Sequence, residues 1–335
     1  MIGTPEYNEQ LRSRTIDLAT RRLMVSRLAG SDQEGDLSEP VNCNGLGRVR
    51  HFGRATAPPW PANDLPGSPA RSRLKLLGLG PGELQAQVFQ NAACNWRCWY
   101  CFVPFNLLGA HEERSEWKTA EELVDLWRAQ SEPAPVLDLS GGQPDLVPEW
   151  VPWTMRALRD RGLERTTYLW SDDNLSTDYF WRHLTDEDIS LIGDYANYGR
   201  AVSFKGIDEA SFVLNTSAPP ASYLAQFEFA RRLLDARIDL YCYVMMTTVA
   251  DTAQVPGIVA RFMDRLQEIH ENLPLRAVPL QVSVFGPVRT RIRADQALAL
   301  ERQETAVRAW NDELASRYSA AARQGPIHKV AIRRG

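Results

Sequence analysis

From about Leu76 onward the chain alternates short apolar runs with longer amphipathic stretches, the pattern of strand and helix units that build a parallel sheet. Strands are expected near Ala86–Asn91, Val136–Ser140, Thr166–Trp170, Ala201–Lys205, Leu240–Thr247 and Leu280–Phe285. Helices are expected at Thr119–Gln130, Glu149–Arg161, Asp178–Leu184, Ser222–Ala236, Val255–Glu271 and Ala294–Tyr318. Thr119 followed by Glu122 has the spacing of a capping box at the first of these. Six such units predict an α/β fold, an open (β/α)6 version of the eightfold TIM-like barrel, with ligands gathering where the strands run out into loops. The first 75 residues read differently, as an irregular N-terminal extension. Glu6 to Leu28 loosely follows helical spacing, and Ala57 to Ala70 is dense in proline and glycine and reads as a wrapping loop. The expected organisation is therefore an extension (1–75), a catalytic core (76–318) and a tail (319–335).

Composition narrows the class without naming the chemistry. Hydrophobic residues at 44% and charged residues at 24% describe an ordinary globular chain, and a net charge of -4 gives no reason to expect nucleic acid as a partner. No apolar run approaches the roughly 20 residues of a membrane span, and the polar stretch MIGTPEYNEQLRSR lacks a signal-peptide core. A cytoplasmic location is the expectation. Five cysteines are an odd number and three of them, Cys94, Cys98 and Cys101, fall within eight residues. In a reducing compartment such crowding points to metal ligation, not to a disulfide framework.

That triplet reads Cys94-Asn-Trp-Arg-Cys98-Trp-Tyr-Cys101 and directly follows the first expected strand. Thiolates are the usual ligands of iron–sulfur clusters, and a cubane has four irons, so three local cysteines leave one corner for a small chelating molecule. A structural zinc site is the competing reading. It needs four Cys or His ligands, for which Cys43, Cys242 and His111 are the remaining candidates.

C-x3-C-x2-C with an aromatic residue before the last cysteine resembles the motif of the radical S-adenosylmethionine (SAM) superfamily. The resemblance implies a [4Fe-4S] cluster on Cys94, Cys98 and Cys101, with SAM chelated at the unique iron and Tyr100 near its adenine. It also implies reductive cleavage to methionine and a 5'-deoxyadenosyl radical, driven by a flavodoxin- or ferredoxin-type reductant. Ser140-Gly141-Gly142-Gln143-Pro144, 40 residues after Cys101, resembles the family's Gly-Gly-Glu-Pro turn against the SAM amino group, with Gln143 in place of the acid. Ser203 and Lys205 share one strand face and resemble the Asp-x-Lys strand of the enzymes that activate glycyl radical enzymes. Ser171, Asp173 and Asn174 follow the third strand as short polar candidates for the SAM ribose or carboxylate; a helix N-cap is the plain alternative. On the fifth strand Met245 and Thr247 are the residues expected to reach the site, and the stretch from Val282 to Pro287 is placed near adenine. Cys242 is a candidate hydrogen donor, with burial as an apolar residue the competing reading.

The local texture is closest to the glycyl radical activating-enzyme-like group, without identifying a subfamily. No cysteine follows Cys242, so auxiliary clusters are not expected. Trp96, Trp99, Phe102 and Phe105 supply aromatic surface to close over a small molecule and keep water from a radical. Three functions remain open: a radical SAM enzyme acting on a small molecule such as a nucleoside or sugar, one acting on a peptide or partner protein, and a non-catalytic metal-binding protein.

Overall fold

The computed structural model describes residues 2–52, 67–74 and 84–332. In chain order the strands are β1 (Ile16–Asp17), β2 (Arg22–Ser26), β3 (Gly47–Phe52), β4 (Leu84–Phe89), β5 (Ser115–Thr119), β6 (Val136–Leu139), β7 (Tyr168–Asp173), β8 (Tyr198–Phe204), β9 (Leu240–Met245) and β10 (Ala277–Leu280). Seven form one curled sheet in the order β10-β9-β8-β7-β6-β4-β3, all neighbours parallel except β3 and β4. This is a partial TIM-like barrel. A small antiparallel sheet, β1-β2-β5, stands beside it.

Alternation of side chains divides the large sheet into two faces. Leu137, Leu139, Leu169, Val202, Cys242 and Val244 point outward and pack with the helices into the main core. Phe52, Leu84, Ala86, Val136, Tyr168, Trp170, Ala201 and Tyr241 point inward and plug the lower half of the barrel. Trp170 lies between Tyr168 and Tyr241, with ring centroids 6.5 and 5.3 Å away. Gly199 makes room for this stack, because a Cβ there would come within 2.5 Å of the Tyr168 hydroxyl. The expected helices are present with shifted ends, at Ala120–Arg128, Trp150–Asp160, Tyr179–His183, Ala221–Asp235, Val255–Ile269 and Ala294–Arg317. The Thr119 capping box forms, its hydroxyl accepting from the Glu122 N–H at 3.1 Å while the Glu122 carboxylate accepts from the Thr119 N–H at 2.8 Å.

Three expectations need correction. The long N-terminal helix is short, Pro5–Thr15, and the chain then turns into β1 and β2; Leu23 and Val25 alternate inward from a strand, where their β-sheet partners, not helical spacing, bury them. The segment Gly47–Phe52, expected within an irregular extension, adds the seventh strand. The last strand lies at Ala277–Leu280, so residues 281–285 are not in the sheet. The proline-rich stretch expected to wrap the core lies outside the described residues except at 67–70, which begin a short helix, Gly67–Arg73.

The N-terminal helix is fastened through a buried ion pair. Arg12 and Glu149 are each 6% exposed; the guanidinium donates to both carboxylate oxygens and, at 2.9 Å, to the Leu146 carbonyl. Removing one partner strands the other charge, which typically costs about 3–5 kcal/mol. Arg12→Leu is expected to lower stability by about that amount in urea denaturation. The double variant Arg12→Leu/Glu149→Leu is expected to recover much of the loss; an Arg12→Leu protein as stable as wild type would show the pair to be dispensable.

Candidate active site

The upper half of the barrel holds a cavity of about 500 Å³, bounded by the cysteine loop, the ends of β6 to β9, strand β3 and residues 280–285. Tyr100, Cys101, Gly141, Gly142, Gln143, Asp173, Asn174, Ser203 and Lys205 all line it. These come from four separate strand ends, so the open end of the sheet brings together most of the positions singled out above. Met245 lines it too, joined by Tyr243. Four of the candidates lie elsewhere. Ser171 is fully buried on the outer face of β7, paired with the Tyr198 hydroxyl at 2.7 Å. Pro144 is buried in the turn that leads away from the cavity. Cys242 is fully buried against the helices, the outward residue between two inward tyrosines; it is no hydrogen donor to this cavity. Thr247 is also buried and donates to the Asn215 side chain at 2.9 Å.

Alternation identifies what the residue-by-residue reading missed. With Tyr168 and Trp170 facing in, the next inward residue of β7 is Asp172, not Ser171, and Asp172 lines the cavity. Arg48 and Arg50 of β3 line it as well.

All three thiols of the cysteine loop are free, Cys94 and Cys98 buried and Cys101 partly so. Burial pushes the Cys98 thiol up to about 12, the neighbouring thiols adding to the effect and Lys205 opposing it. Cys94 and Cys101 are raised for the same first reason. The thiols are thus near enough to feel one another's charge. Yet no three His, Cys, Asp or Glu side chains among the described residues converge tightly enough for a single metal ion. The loop has the cationic neighbours Arg97, Lys205 and Arg291, which favour thiolates, and metal binding would offset the cost of burying them. Arg291 braces the loop by donating to the carbonyls of Cys101 at 2.6 Å and Val103 at 3.0 Å.

The glycine turn lies directly under this loop. Gly141 and Gly142 have φ of 90° and 65°, and a Cβ on Gly142 would come within 2.3 Å of the Asn91 carbonyl oxygen. Gln143 then joins three loops. Its N–H donates to the Ala93 carbonyl at 2.7 Å and its own carbonyl accepts from the Asn91 amide at 2.7 Å. Its side-chain NH2 donates to Asp173 at 2.8 Å while its side-chain oxygen accepts from the Asn174 N–H at 3.0 Å. The neutral amide is therefore the fitting residue here. A glutamate would set a second carboxylate against Asp173, which already shares Arg200 with Asp145.

Residues 91–253 match the family model of the radical SAM superfamily. Just under half of the chain is thus similar to a radical SAM domain. The superfamily's cofactors are a [4Fe-4S] cluster and SAM. Two solved structures of Streptococcus suis SuiB are similar to the chain. The one bound to the precursor peptide SuiA shows 13% identity and a TM-score of 0.38 over 53% of this chain and 36% of that one. The one bound to S-adenosylmethionine shows 14%, 0.37, 52% and 36%. A histidine-tagged anSMEcpe with bound AdoMet shows 12% identity and a TM-score of 0.36, over 52% of this chain and 45% of that one. The chain thus spans less than half the length of these proteins. No curated protein matches it in sequence. No helix among the described residues is long and apolar enough to cross a membrane.

Gln143→Glu tests the clasp of this site. The new carboxylate meets Asp173 in a buried setting, so its pKa is raised on folding and the protein is destabilised, by about 1–3 kcal/mol. With a raised folded-state pKa the penalty is full above that value and shrinks as pH falls below it. The gap in unfolding midpoint between variant and wild type is expected to narrow from neutral towards acidic pH; a constant gap would show that charge is not the cause.

Proposed function

We propose that the chain is a radical SAM enzyme acting on a small molecule held inside the half-barrel, in a reaction of oxidoreductase or lyase type. The carrying observation is the continuity of the cavity, which runs from Tyr100 and Cys101 at the cysteine loop down to Arg50 and Tyr243 between walls supplied by β3 and residues 280–285. Cavities of this size suit small ligands.

In this reading Cys94, Cys98 and Cys101 hold the cluster, and Tyr100, Gly141, Gly142, Gln143, Asp173, Asn174, Ser203 and Lys205 surround SAM. The bound cluster and SAM supply a 5'-deoxyadenosyl radical by one-electron reduction, from a flavodoxin- or ferredoxin-type donor, as befits a cytoplasmic enzyme. What the chain itself contributes is position and dryness. The glycine turn offers backbone groups without side chains in the way, Lys205 brings a cation to the rim, and the aromatic stack below closes the barrel to water.

Anaerobic loading with iron and sulfide, followed by dithionite and SAM, tests the reading. Formation of 5'-deoxyadenosine is expected, with both the iron–sulfur absorbance and the product falling to background in Cys98→Ala. A stable cluster that yields no 5'-deoxyadenosine would leave a metal-binding protein.

A further inference from the structure

The cavity reaches below the level at which SAM is placed, and its floor carries charge that the cofactors do not use. Strand register gives the depth. Arg48 lies beside Val88 and Arg50 beside Ala86; Val88 in turn lies beside Asp138, two residues short of Ser140. At about 3.3 Å per residue, the Arg48 backbone is roughly 7 Å beneath the Ser140 level, and Arg50 is deeper by the same amount.

The two guanidiniums are compensated unequally: Tyr243, Asp138 and Asp172 outweigh burial and hold the charge on Arg50, whereas Arg48 has less to hold it. Arg48 sits 5.1 Å from the centre of the Phe102 ring, next to Cys101 in sequence, and its Nε meets no hydrogen-bond partner among the described residues. Arg50 donates to the Tyr243 hydroxyl at 3.4 Å and lies 3.6 Å from Asp138. Asp138 is sealed beneath the cavity, 0% exposed, and burial pushes its carboxyl up to about 7, so near neutral pH it is only partly charged. Asp172 is also raised by burial and accepts from the Trp170 indole at 3.0 Å. The under-compensated charge at the floor is that of Arg48, whose Nε has no partner among the described residues and whose hold on its proton burial and Arg50 weaken, down to about 10. A second guanidinium beside Arg50 in a partly dry chamber is costly until an anion arrives to share the pair.

We propose that Arg48 and Arg50, with the Tyr243 hydroxyl, form a receptor for an anionic oxygen group of the substrate, a carboxylate or a phosphate, which is thereby an acid anchored at its charged end. The assignment rests on the cavity being the substrate chamber. Planar guanidinium edges match either oxyanion in two-point contact. Anchoring at the floor leaves the rest of the molecule extended towards Cys101 and the glycine turn.

The test uses the full chain with inorganic phosphate and acetate as probes, sodium chloride holding ionic strength constant. One of the two is expected to raise the unfolding midpoint saturably, phosphate indicating a phosphate ester and acetate a carboxylic acid. Calorimetric affinity for that probe is expected to fall at least about tenfold in Arg48→Gln and in Arg50→Gln. Arg48→Lys, which keeps charge but not the fork, is expected to fall between wild type and Arg48→Gln, and serves if a glutamine variant does not fold. No response of wild type to either probe, or variants that bind as tightly as wild type, overturns the proposal. So does loss of SAM binding by the loaded variants in equilibrium dialysis, which would assign the arginines to SAM's own carboxylate. Formation of 5'-deoxyadenosine without substrate reports on the radical SAM reading by itself, so the two failures are distinguishable.

Discussion

The side chain of Gln143 is the point at which the open end of this barrel is held together. One buried amide spends its NH2 on Asp173 and its oxygen on the Asn174 N–H, while its backbone N–H and carbonyl engage the cysteine loop. From there the stitching continues around the rim. Asn174 and Ser176 both donate to the Asn95 side chain, at 3.4 and 3.0 Å, and Gln226 donates to the carbonyls of Asn174 and Ser203, each at 2.8 Å. Asn215 donates to the Lys205 carbonyl at 2.8 Å and accepts from the Trp99 indole at 3.1 Å. Each bond adds about 1 kcal/mol net, but each would cost more if left unmade, so the loops have few alternative arrangements that satisfy so many buried amides. Loops that would otherwise move are thereby fixed as firmly as the strands that carry them.

Inside this rim the barrel is graded from dry to charged. Tyr168, Trp170 and Tyr241 fill the bottom, Arg50, Asp138 and Tyr243 lie above them, and the glycine turn and Lys205 stand at the top. The gradient follows from an open sheet having one inner face to divide between packing and a cavity. β3 completes the arrangement: as an antiparallel strand on the β4 edge it occupies backbone groups that an open barrel would leave unpaired, and its alternate residues bring cations to the inner wall.

The legibility of the sequence follows how local each signal is. The cysteine triplet is read from spacing alone, and the strands that precede Gly141 and contain Ser203 stand out as apolar runs because both their faces are buried. Ser171 misleads because the run of short polar residues at the end of β7 reads as a cluster; alternation from Trp170 selects Asp172 instead, a signal the sequence carries. β3 is harder to see. Its sequence, Gly-Arg-Val-Arg-His-Phe, puts arginines where a strand of a closed core would have apolar residues, so a segment that lines a polar chamber looks like an irregular one. The β2 strand is hidden by its neighbours: leucine and arginine are good helix formers, and only pairing with β5, nearly a hundred residues away, decides otherwise.

That the N-terminal residues are built into the site follows from where their bonds go. Asn95, between two of the cysteines, donates to the Asn8 side chain at 3.0 Å, and Arg97 donates to the Tyr7 hydroxyl at 2.9 Å while also holding the Cys94 and Trp96 carbonyls. Ser26 of β2 donates its N–H to the Gln90 carbonyl at the foot of the same loop. The helix Pro5–Thr15 is itself held by Arg12 on Glu149, just past the glycine turn. The first fifty residues therefore join the cysteine loop to the Gln143 turn from outside, as the amide network joins them from within. A cysteine loop supported on both sides has little freedom to move its thiols, so their placement is set by the fold around them.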